Sequence, residues 1–205
     1  MITLYGSTRS SAGRCVWALE EIGVPYTLKE VDMRNKEHKS AEFLKINPNG
    51  KVPAMVDGDL TLFESMAINY YLAEAYKKEL LGKTPAEKGL VQQWSYWSIA
   101  EMQSPMIQVF IQKVFVPAER RDDKVIEENM NQIPALMTVL NNALEGKKYL
   151  VGNEFTLADL NASSVIGIAH AIGFDMKPYS NVNAWLGAIA DRPSFQKYMG
   201  MRNAK

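Results

Sequence analysis

The stretch from Asn47 to Ser65 constrains the fold more than any other part of the chain. Two turn clusters, N-P-N-G and D-G-D, bracket two short apolar runs, and this predicts a strand, a tight hairpin and a second strand. Glu64-Ser65 then opens a helical pattern for which we predict Ser65 as the N-cap. Because a helix N-terminus carries free N–H groups and the positive end of a dipole, it can bind a carboxylate without a basic side chain.

Pro53 follows Val52 immediately before the first of these strands. A cis peptide bond at this point would turn the Val52 backbone outward and leave its N–H and C=O free to pair with an extended peptide. Together with the predicted carboxylate site, this indicates a small peptide that carries an α-amino acid end as the ligand.

These residues also resemble a known family. N-P-x-G-K-V-P-A, followed after the hairpin by L-F-E-S-x-A-I, is similar to the glutathione-binding core of the cytosolic glutathione S-transferases. The similarity is greatest to the serine-type classes, the plant phi class and the theta-like bacterial enzymes. It implies a thioredoxin-like α/β domain, an all-helical second domain, glutathione as co-substrate without a metal, and a homodimer.

The composition limits the partners. The 205 residues include 23 acidic and 23 basic side chains, so no long-range field favours nucleic acid or an anionic membrane. No apolar run reaches the ~20 residues of a membrane span, and no basic leader precedes the first strand. Cys15 is the only cysteine, which excludes an internal disulfide and CxxC chemistry. A soluble cytoplasmic protein is expected.

The residue pattern predicts two domains, a thioredoxin-like one over residues 1–80 and a helical one over 86–205, joined by a Gly/Pro linker. In the first we predict strands at 2–5 and 28–31, a helix at 11–22 closed by Gly23, and a short helix near 41–45. In the second we predict a long helix over 86–116 with a kink at Pro105, a helix over 122–144, and shorter helices at 182–190 and 195–200.

A helix start is also predicted at Thr156, where Asp159 in the third helical position resembles a capping box. The stretch G-x-x-x-T-x-A-D resembles a motif that opens a buried helix in the transferase family's helical domain. We expect a role in folding, not in chemistry.

A transferase of this kind must convert a thiol that titrates near ~8.5 into a thiolate at neutral pH, with a hydrogen bond as the expected means. The resemblance places Ser10 at the catalytic serine, whose hydroxyl donates to the glutathione sulfur; alternatively Ser10 is only a helix cap. Ser11 and Tyr5 are rival donors, although Tyr5 also fits an ordinary core aromatic. Cys15 lies inside the helix and fits a small buried apolar residue better than a nucleophile.

The remaining glutathione contacts come from the resemblance, residue by residue. Ser65 would bind the γ-glutamyl carboxylate and Glu64 the ammonium group. Val52, before Pro53, would pair with the cysteinyl backbone. His38 and Lys39 match the His-Lys pair of the phi class, in which the histidine approaches the glycyl carboxylate. Lys51 replaces the glutamine common in that class, which keeps a donor and adds a charge suited to a carboxylate.

The electrophile pocket is expected between the first helix and the long kinked helix. Its candidates are Arg9, Met102, Pro105, Met106 and Phe110. The function predicted is conjugation of glutathione to small hydrophobic electrophiles. The alternatives are a specialised glutathione-dependent lyase, dehalogenase or isomerase, and a non-catalytic binding or scaffold protein with the same fold. Ala12 stands where the isomerase pattern R-S-S-C has its cysteine, which weakens that alternative.

Overall fold

A computed structural model describes residues 1–204. Tertiary contacts divide the chain into two compact units. The first comprises Met1–Leu81 together with the segment that begins at Ala190, and the second comprises Gly82–Ile189. The segment from Ala190 onward thus groups with the first unit, whereas the sequence pattern places it with the helical domain.

Within residues 1–204 the structure has eleven α-helices, α1 to α11 in chain order: Gly13–Ile22, Ala41–Ile46, Ser65–Tyr76, Pro85–Trp97, Ser104–Phe110, Asp123–Met130, Ile133–Ala143, Leu157–Ile166, Ile168–Ile172, Ser180–Ala190 and Pro193–Asn203. Single 3-10 turns cover Glu37–Lys39, Lys78–Leu81 and Ala118–Arg120, and π-helical segments cover Ser98–Gln103 and Ile111–Phe115. In this part of the chain no helix combines the length and the apolar character needed to span a bilayer.

The first unit is built on a sheet whose strands, in the described residues, are β1 to β4: Ile2–Tyr5, Tyr26–Lys29, Ala54–Asp57 and Leu60–Phe63. The spatial order is β2-β1-β3-β4. β2 runs parallel to β1, while β3 is antiparallel to both β1 and β4. With α1 between β1 and β2 and α3 after β4, this topology confirms the predicted thioredoxin-like fold.

β2 lies two residues earlier than the predicted strand at 28–31. Pairing explains the difference, because Ile2 lies opposite Tyr26 and Tyr5 opposite Lys29. The Gly6 N–H then donates to the Lys29 carbonyl at 2.9 Å, where β1 ends.

The core of the first unit lies between the sheet and helices α1 and α3. It contains wholly buried side chains from all three: Leu4, Met55, Val16, Leu19, Ile68 and Leu72. Gly23 ends α1 as predicted, with φ of 83° and an N–H that donates to the Leu19 carbonyl at 2.9 Å.

Helix α11 packs against α1, and this explains why the segment from Ala190 onward groups with the first unit. The Trp17 ring of α1 lies 5.0 Å from Phe195 and 6.2 Å from Tyr198, between ring centroids. The carboxylate of Glu21, also on α1, is only 7% exposed and contacts Arg192 at 2.6 Å. Burial alone would raise the pKa of Glu21, but the hydrogen bonds and charge of Arg192 and its other partners lower it.

The second unit begins with the predicted long helical run. Thr84 and Glu87 form a capping box, and Pro85 occupies the first turn of α4. The run then changes to π-type hydrogen bonding at Ser98–Gln103, immediately before Pro105. Proline has no N–H to donate, so a change of hydrogen-bond pattern beside it is expected.

The single helix predicted over 122–144 is wrong, because the structure has two helices, α6 and α7, with a break at Asn131 and Gln132. Pro134 lies in the first turn of α7. An N–H group in the first turn of a helix has no intrahelical acceptor, so a proline costs no hydrogen bond there. Pro134 therefore marks the start of a helix and not its interior.

Asp159 organises the start of α8 and has no exposed surface. Its carboxylate accepts hydrogen bonds from the Leu150 N–H at 2.8 Å, the Trp185 indole at 2.9 Å and the Thr156 N–H at 2.9 Å. The predicted capping arrangement at Thr156 is therefore confirmed. Burial raises the pKa of Asp159, although these donors act in the opposite direction.

We predict that Asp159→Ala destabilises the protein by ~3 kcal/mol or more, because several buried donors lose their acceptor at ~1–3 kcal/mol each. Urea unfolding measures the change in free energy. Asp175→Ala is the matched control, since Asp175 is exposed and accepts one backbone hydrogen bond, from Lys177. Equal stability of the two variants would contradict the prediction.

Candidate functional site

Three polar segments meet at one end of the sheet in the first unit. Tyr5, the last residue of β1, pairs with Ala54, and Ala54 pairs with Phe63. The loop after β1, the turn before β3 and the link from β4 to α3 therefore leave the sheet side by side. Most of the predicted glutathione contacts lie in these segments.

The peptide bond between Val52 and Pro53 is cis, as predicted from the sequence. Strand β3 begins only at Ala54. Within residues 1–204, the Val52 N–H and C=O take part neither in the sheet nor in the hydrogen bonds of the adjacent turns. They are thus available to an extended peptide.

The turn before β3 is held by Asn47, which is 2% exposed. Its side-chain amide donates to the Lys51 carbonyl at 2.6 Å, and its side-chain oxygen accepts from the Asn49 N–H at 3.0 Å. The sequence predicts Asn47 only as a turn residue, so this role of its side chain was not expected. Its signal is the Asn-Pro pair, since asparagine side chains often bond to the backbone of their own turn.

His38 and Lys39 pack on the same turn. A Cβ at Gly50, where φ is 56°, would lie 2.7 Å from Lys39 Nζ and 2.8 Å from the His38 carbonyl. Lys39 Nζ also donates to the Asn49 carbonyl at 3.2 Å. In the described part of the chain, the buried Nδ1 atom of His38 has no hydrogen-bond partner.

Ser10 lies in the loop after β1 and is half-buried. Its hydroxyl donates to the Ser7 carbonyl at 2.9 Å and accepts from the N–H groups of Ser7 and Ala12 at 3.3 and 3.2 Å. Helix α1 starts only at Gly13 with Ala12 as its N-cap, so Ser10 is not the cap residue. Ser11 is exposed.

Gly6 brings the Ser10 hydroxyl close to the residue before the cis proline. A Cβ at Gly6 would lie 3.5 Å from Ser10 Oγ, 3.3 Å from Val52 Cβ and 2.5 Å from Ala12 Cβ. The φ of Gly6 is 138°, which favours glycine. The loop can therefore approach Val52 only because Gly6 has no side chain.

Two rival residues have other surroundings. Tyr5 contacts Phe43, with 6.2 Å between ring centroids, and belongs to an apolar cluster with Val31 and Ala54. Lys29 Nζ lies 5.5 Å from its ring centroid. Tyr5 thus has the surroundings of a core aromatic.

Cys15 is wholly buried, as expected of a small apolar residue. Burial raises the pKa of the Cys15 thiol to about 12, although the charge of Arg14 acts in the opposite direction. Cys15 is therefore protonated at neutral pH and is not a nucleophile.

Ser65 lies at the start of α3 and is 5% exposed. The predicted N-cap is wrong by one position, because Glu64 is the N-cap and Ser65 the first helical residue. Glu64 is exposed and has φ of 71°, which is uncommon for a residue other than glycine. Such a backbone conformation is often found at binding sites.

Arg14 is a residue of this site that the sequence analysis missed. Its guanidinium is buried and donates to Ser65 Oγ at 3.4 Å. Burial lowers the pKa of Arg14, partly offset by Cys15 and Tyr198, but the group stays cationic because arginine titrates so high. A positive charge thus lies behind the start of α3. The available signal was a basic residue on the buried side of an otherwise apolar helix.

The electrophile-pocket candidates fall in different units. Arg9 is exposed in the first unit, and its Nε donates to the Arg202 carbonyl at 3.3 Å. In the second unit Met102 and Met106 have no exposed surface, which packing in the helical core also explains. Pro105, which precedes Met106 in the chain, is also buried, and Phe110 is half-buried. Their role in binding an electrophile stays a prediction.

Among residues 1–204 no three His, Cys, Asp or Glu side chains come together in a way that could hold a metal ion.

The geometry of the site agrees with the similarity of the chain to known proteins. Residues 1–74 match the family described as glutathione S-transferase, N-terminal domain, and residues 104–193 match glutathione S-transferase, C-terminal domain. Glutathione S-transferase 1 of Zea mays is 36% identical over 200 residues, which cover 95% of this chain and 94% of the relative.

Two solved structures extend the comparison. The maize glutathione S-transferase I in complex with an atrazine glutathione conjugate has a TM-score of 0.88 at 35% identity and covers 98% of this chain and 97% of its own. The theta-class enzyme of the citrus canker pathogen Xanthomonas axonopodis pv. citri, with glutathione bound, has a TM-score of 0.89 at 31% identity. The match covers 96% of this chain and 95% of that enzyme's chain. The chain belongs to the glutathione S-transferase family.

Proposed function

We propose that this transferase conjugates glutathione to small hydrophobic electrophiles in the cytoplasm. The observation that carries the proposal is that the half-buried Ser10 hydroxyl and Val52, whose backbone is free to hold a peptide, both lie beside Gly6 at the end of β1. Two relatives of similar fold, crystallised with glutathione and with an atrazine glutathione conjugate, support the choice of ligand.

In this proposal the γ-glutamyl end of glutathione binds at the start of α3. Its α-carboxylate accepts from Ser65 and the free N–H groups of the helix, and the buried charge of Arg14 adds attraction. The exposed carboxylate of Glu64 binds the ammonium group. The carboxylate of the γ-glutamyl end thus lies near positive charge, and its ammonium group lies near negative charge.

The rest of the tripeptide extends along the turn before β3. The cysteinyl backbone pairs with the Val52 N–H and C=O, which orients the sulfur toward Ser10. The glycyl carboxylate lies near Lys39, Lys51 and His38, where the two lysines supply charge and the unpaired Nδ1 of His38 supplies a further polar group.

The chemistry begins with the thiol proton, which leaves to solvent. The Ser10 hydroxyl then turns from the Ser7 carbonyl to the sulfur and donates to the thiolate, which lowers the thiol pKa from its ordinary ~8.5. The N–H groups of Ser7 and Ala12 still donate to Ser10 Oγ and polarise the hydroxyl, so it becomes a stronger donor. The sulfur attacks the electrophilic carbon, the C–S bond forms, and the leaving group departs with its electron pair.

We predict that Ser10→Ala lowers kcat by ~10², the usual cost of removing one donor to developing negative charge. Glutathione affinity should change little, because the variant keeps every contact to the two ends of the tripeptide. Steady-state conjugation of a generic aromatic halide measures the first quantity and calorimetry the second. Ser11→Ala is the matched comparison, since Ser11 is the exposed neighbour. If Ser11→Ala lost the activity and Ser10→Ala kept it, the donor would be Ser11.

We predict the reverse pattern for Ser65→Ala. Removal of a hydrogen bond to a charged group should weaken glutathione binding by ~10-fold or more. The rate at saturating glutathione should stay within about twofold, because the serine contacts the substrate far from the reacting atom. Unchanged affinity by calorimetry would remove Ser65 from the binding site.

A homodimer is part of the same proposal. β4 is the edge strand of the sheet and carries the exposed side chains of Leu60 and Phe63, and Tyr70 of the following helix is exposed as well. An apolar sheet edge of this kind favours association. Light scattering should give twice the mass of the chain, and Phe63→Glu should shift the protein to monomer. A wild-type mass of one chain at micromolar concentration would contradict the dimer.

A further inference from the structure

We propose that Tyr198, on helix α11, positions the loop that carries Ser10 and so sets how strongly Ser10 stabilises the glutathione thiolate. The inference rests on the proposed function, in which Ser10 is the donor to the sulfur. The Tyr198 hydroxyl bonds to Thr8 and Arg202 and would act through the loop, so it is a positioning residue.

The first observation is a direct bond from α11 to the loop. Tyr198 is 6% exposed, and its hydroxyl donates to the carbonyl of Thr8 at 3.3 Å. The same hydroxyl accepts from the Arg202 guanidinium at 3.3 Å. An oxygen that both donates and accepts has a fixed orientation, so it holds the Thr8 carbonyl in one position.

The second observation is that Thr8 lies inside the turn that orients Ser10. The Ser10 N–H donates to the Ser7 carbonyl at 3.1 Å, and the Ser10 hydroxyl donates to the same carbonyl at 2.9 Å. Thr8 is one of the two residues enclosed by this turn. A displacement of its carbonyl therefore rotates the peptide planes on which the Ser10 hydroxyl depends.

The third observation is that the Tyr198 ring cannot move away. It stacks on Trp17 with 6.2 Å between centroids and planes only 10° apart, and Phe195 contacts both rings. The Trp17 indole in turn donates to Ser194 at 3.3 Å. Packing thus fixes the ring, and the ring fixes the hydroxyl.

The fourth observation is the missing side chain at Gly13. A Cβ there would lie 2.4 Å from the Thr8 carbonyl oxygen and 2.7 Å from the Tyr198 hydroxyl oxygen. Only glycine leaves room for the two oxygens to meet over the first residue of α1. The sequence thus keeps this contact open at the cost of a glycine in a helical first turn.

A second contact joins the same helix to the same loop. Arg9, between Thr8 and Ser10, donates through its Nε to the Arg202 carbonyl at 3.3 Å. Helix α11 therefore contacts the loop at two consecutive residues. The hydrogen bond from Tyr198 is the stronger of the two because its hydroxyl is buried and shielded from water.

The test is Tyr198→Phe, which removes the hydroxyl and keeps the stacked ring. The ultraviolet absorbance of the thiolate, followed against pH in the complex with glutathione, gives the pKa of the bound thiol. We expect that pKa to rise toward its value in free glutathione and kcat/KM at neutral pH to fall ~3- to 10-fold, the size of one lost hydrogen bond. Glutathione affinity should stay within about twofold, since the ends of the tripeptide keep their contacts.

Tyr26→Phe is the matched control. The Tyr26 hydroxyl also joins α11 to the rest of the first unit, since it donates to Glu20 on α1 at 2.7 Å and lies 3.9 Å from Met201 Sδ, but it does not contact the Ser10 loop. Thermal unfolding of both variants reports any loss of stability. A purely structural tyrosine would lower the melting temperature and leave the pKa of the bound thiol unchanged, as expected for Tyr26→Phe.

The possible failures are distinguishable. If Tyr198→Phe leaves the thiol pKa and kcat/KM unchanged while Ser10→Ala raises that pKa, the positioning role is wrong and the proposed function stands. If Ser10→Ala also leaves the thiol pKa unchanged, Ser10 is not the donor and both proposals fail. Gly13→Ala gives an independent check, since it should displace the same two oxygens and raise the thiol pKa in a wild-type Tyr198 background.

Discussion

The pairing of β3 with both β1 and β4 is the constraint on which the site depends. Because Tyr5, Ala54 and Phe63 lie in register, the loop after β1, the cis-proline turn and the start of α3 leave the sheet at the same end. None of these segments holds a complete site alone. The Ser10 hydroxyl, the open Val52 backbone and the start of α3 come from three separate parts of the chain and are joined only by the sheet.

A second layer of contacts stabilises this arrangement from behind. Arg14 lies beneath the start of α3, and Glu21, about two helical turns further along α1, is paired with Arg192 and Lys77. The lowered pKa of Glu21 means that its ion pairs stabilise the fold at neutral pH and are lost as the pH falls through the folded-state pKa. α1 therefore links the start of α3 to the residues that hold α11.

Much of the first unit could be predicted from the sequence, because its signals are local. The turn clusters, Pro53 and the Glu64-Ser65 pair define the hairpin and the helix start with few alternatives. What the sequence did not provide depends on tertiary contacts. Register with β1 set the bounds of β2, and the positive φ of Glu64 moved the helix cap by one residue.

The role of Arg14 and the grouping of α11 with the first unit were missed for the same reason. An arginine on an amphipathic helix is usually exposed, and only the packed structure shows this one beside Ser65. Residues 190 onward read as one more helix of a helical domain, and their aromatic contacts with Trp17 join positions that lie far apart in the chain. Such pairings have no local signature.

The discontinuity of the first unit also bears on how the chain acquires its structure during translation. Its sheet emerges from the ribosome first, yet the helix that covers α1 follows only after the whole of Gly82–Ile189 has been made. Until then Trp17 lacks the aromatic rings of α11 and the carboxylate of Glu21 lacks Arg192, while the helical unit already has its full set of residues. Vectorial synthesis thus favours completion of the middle of the chain before the first unit.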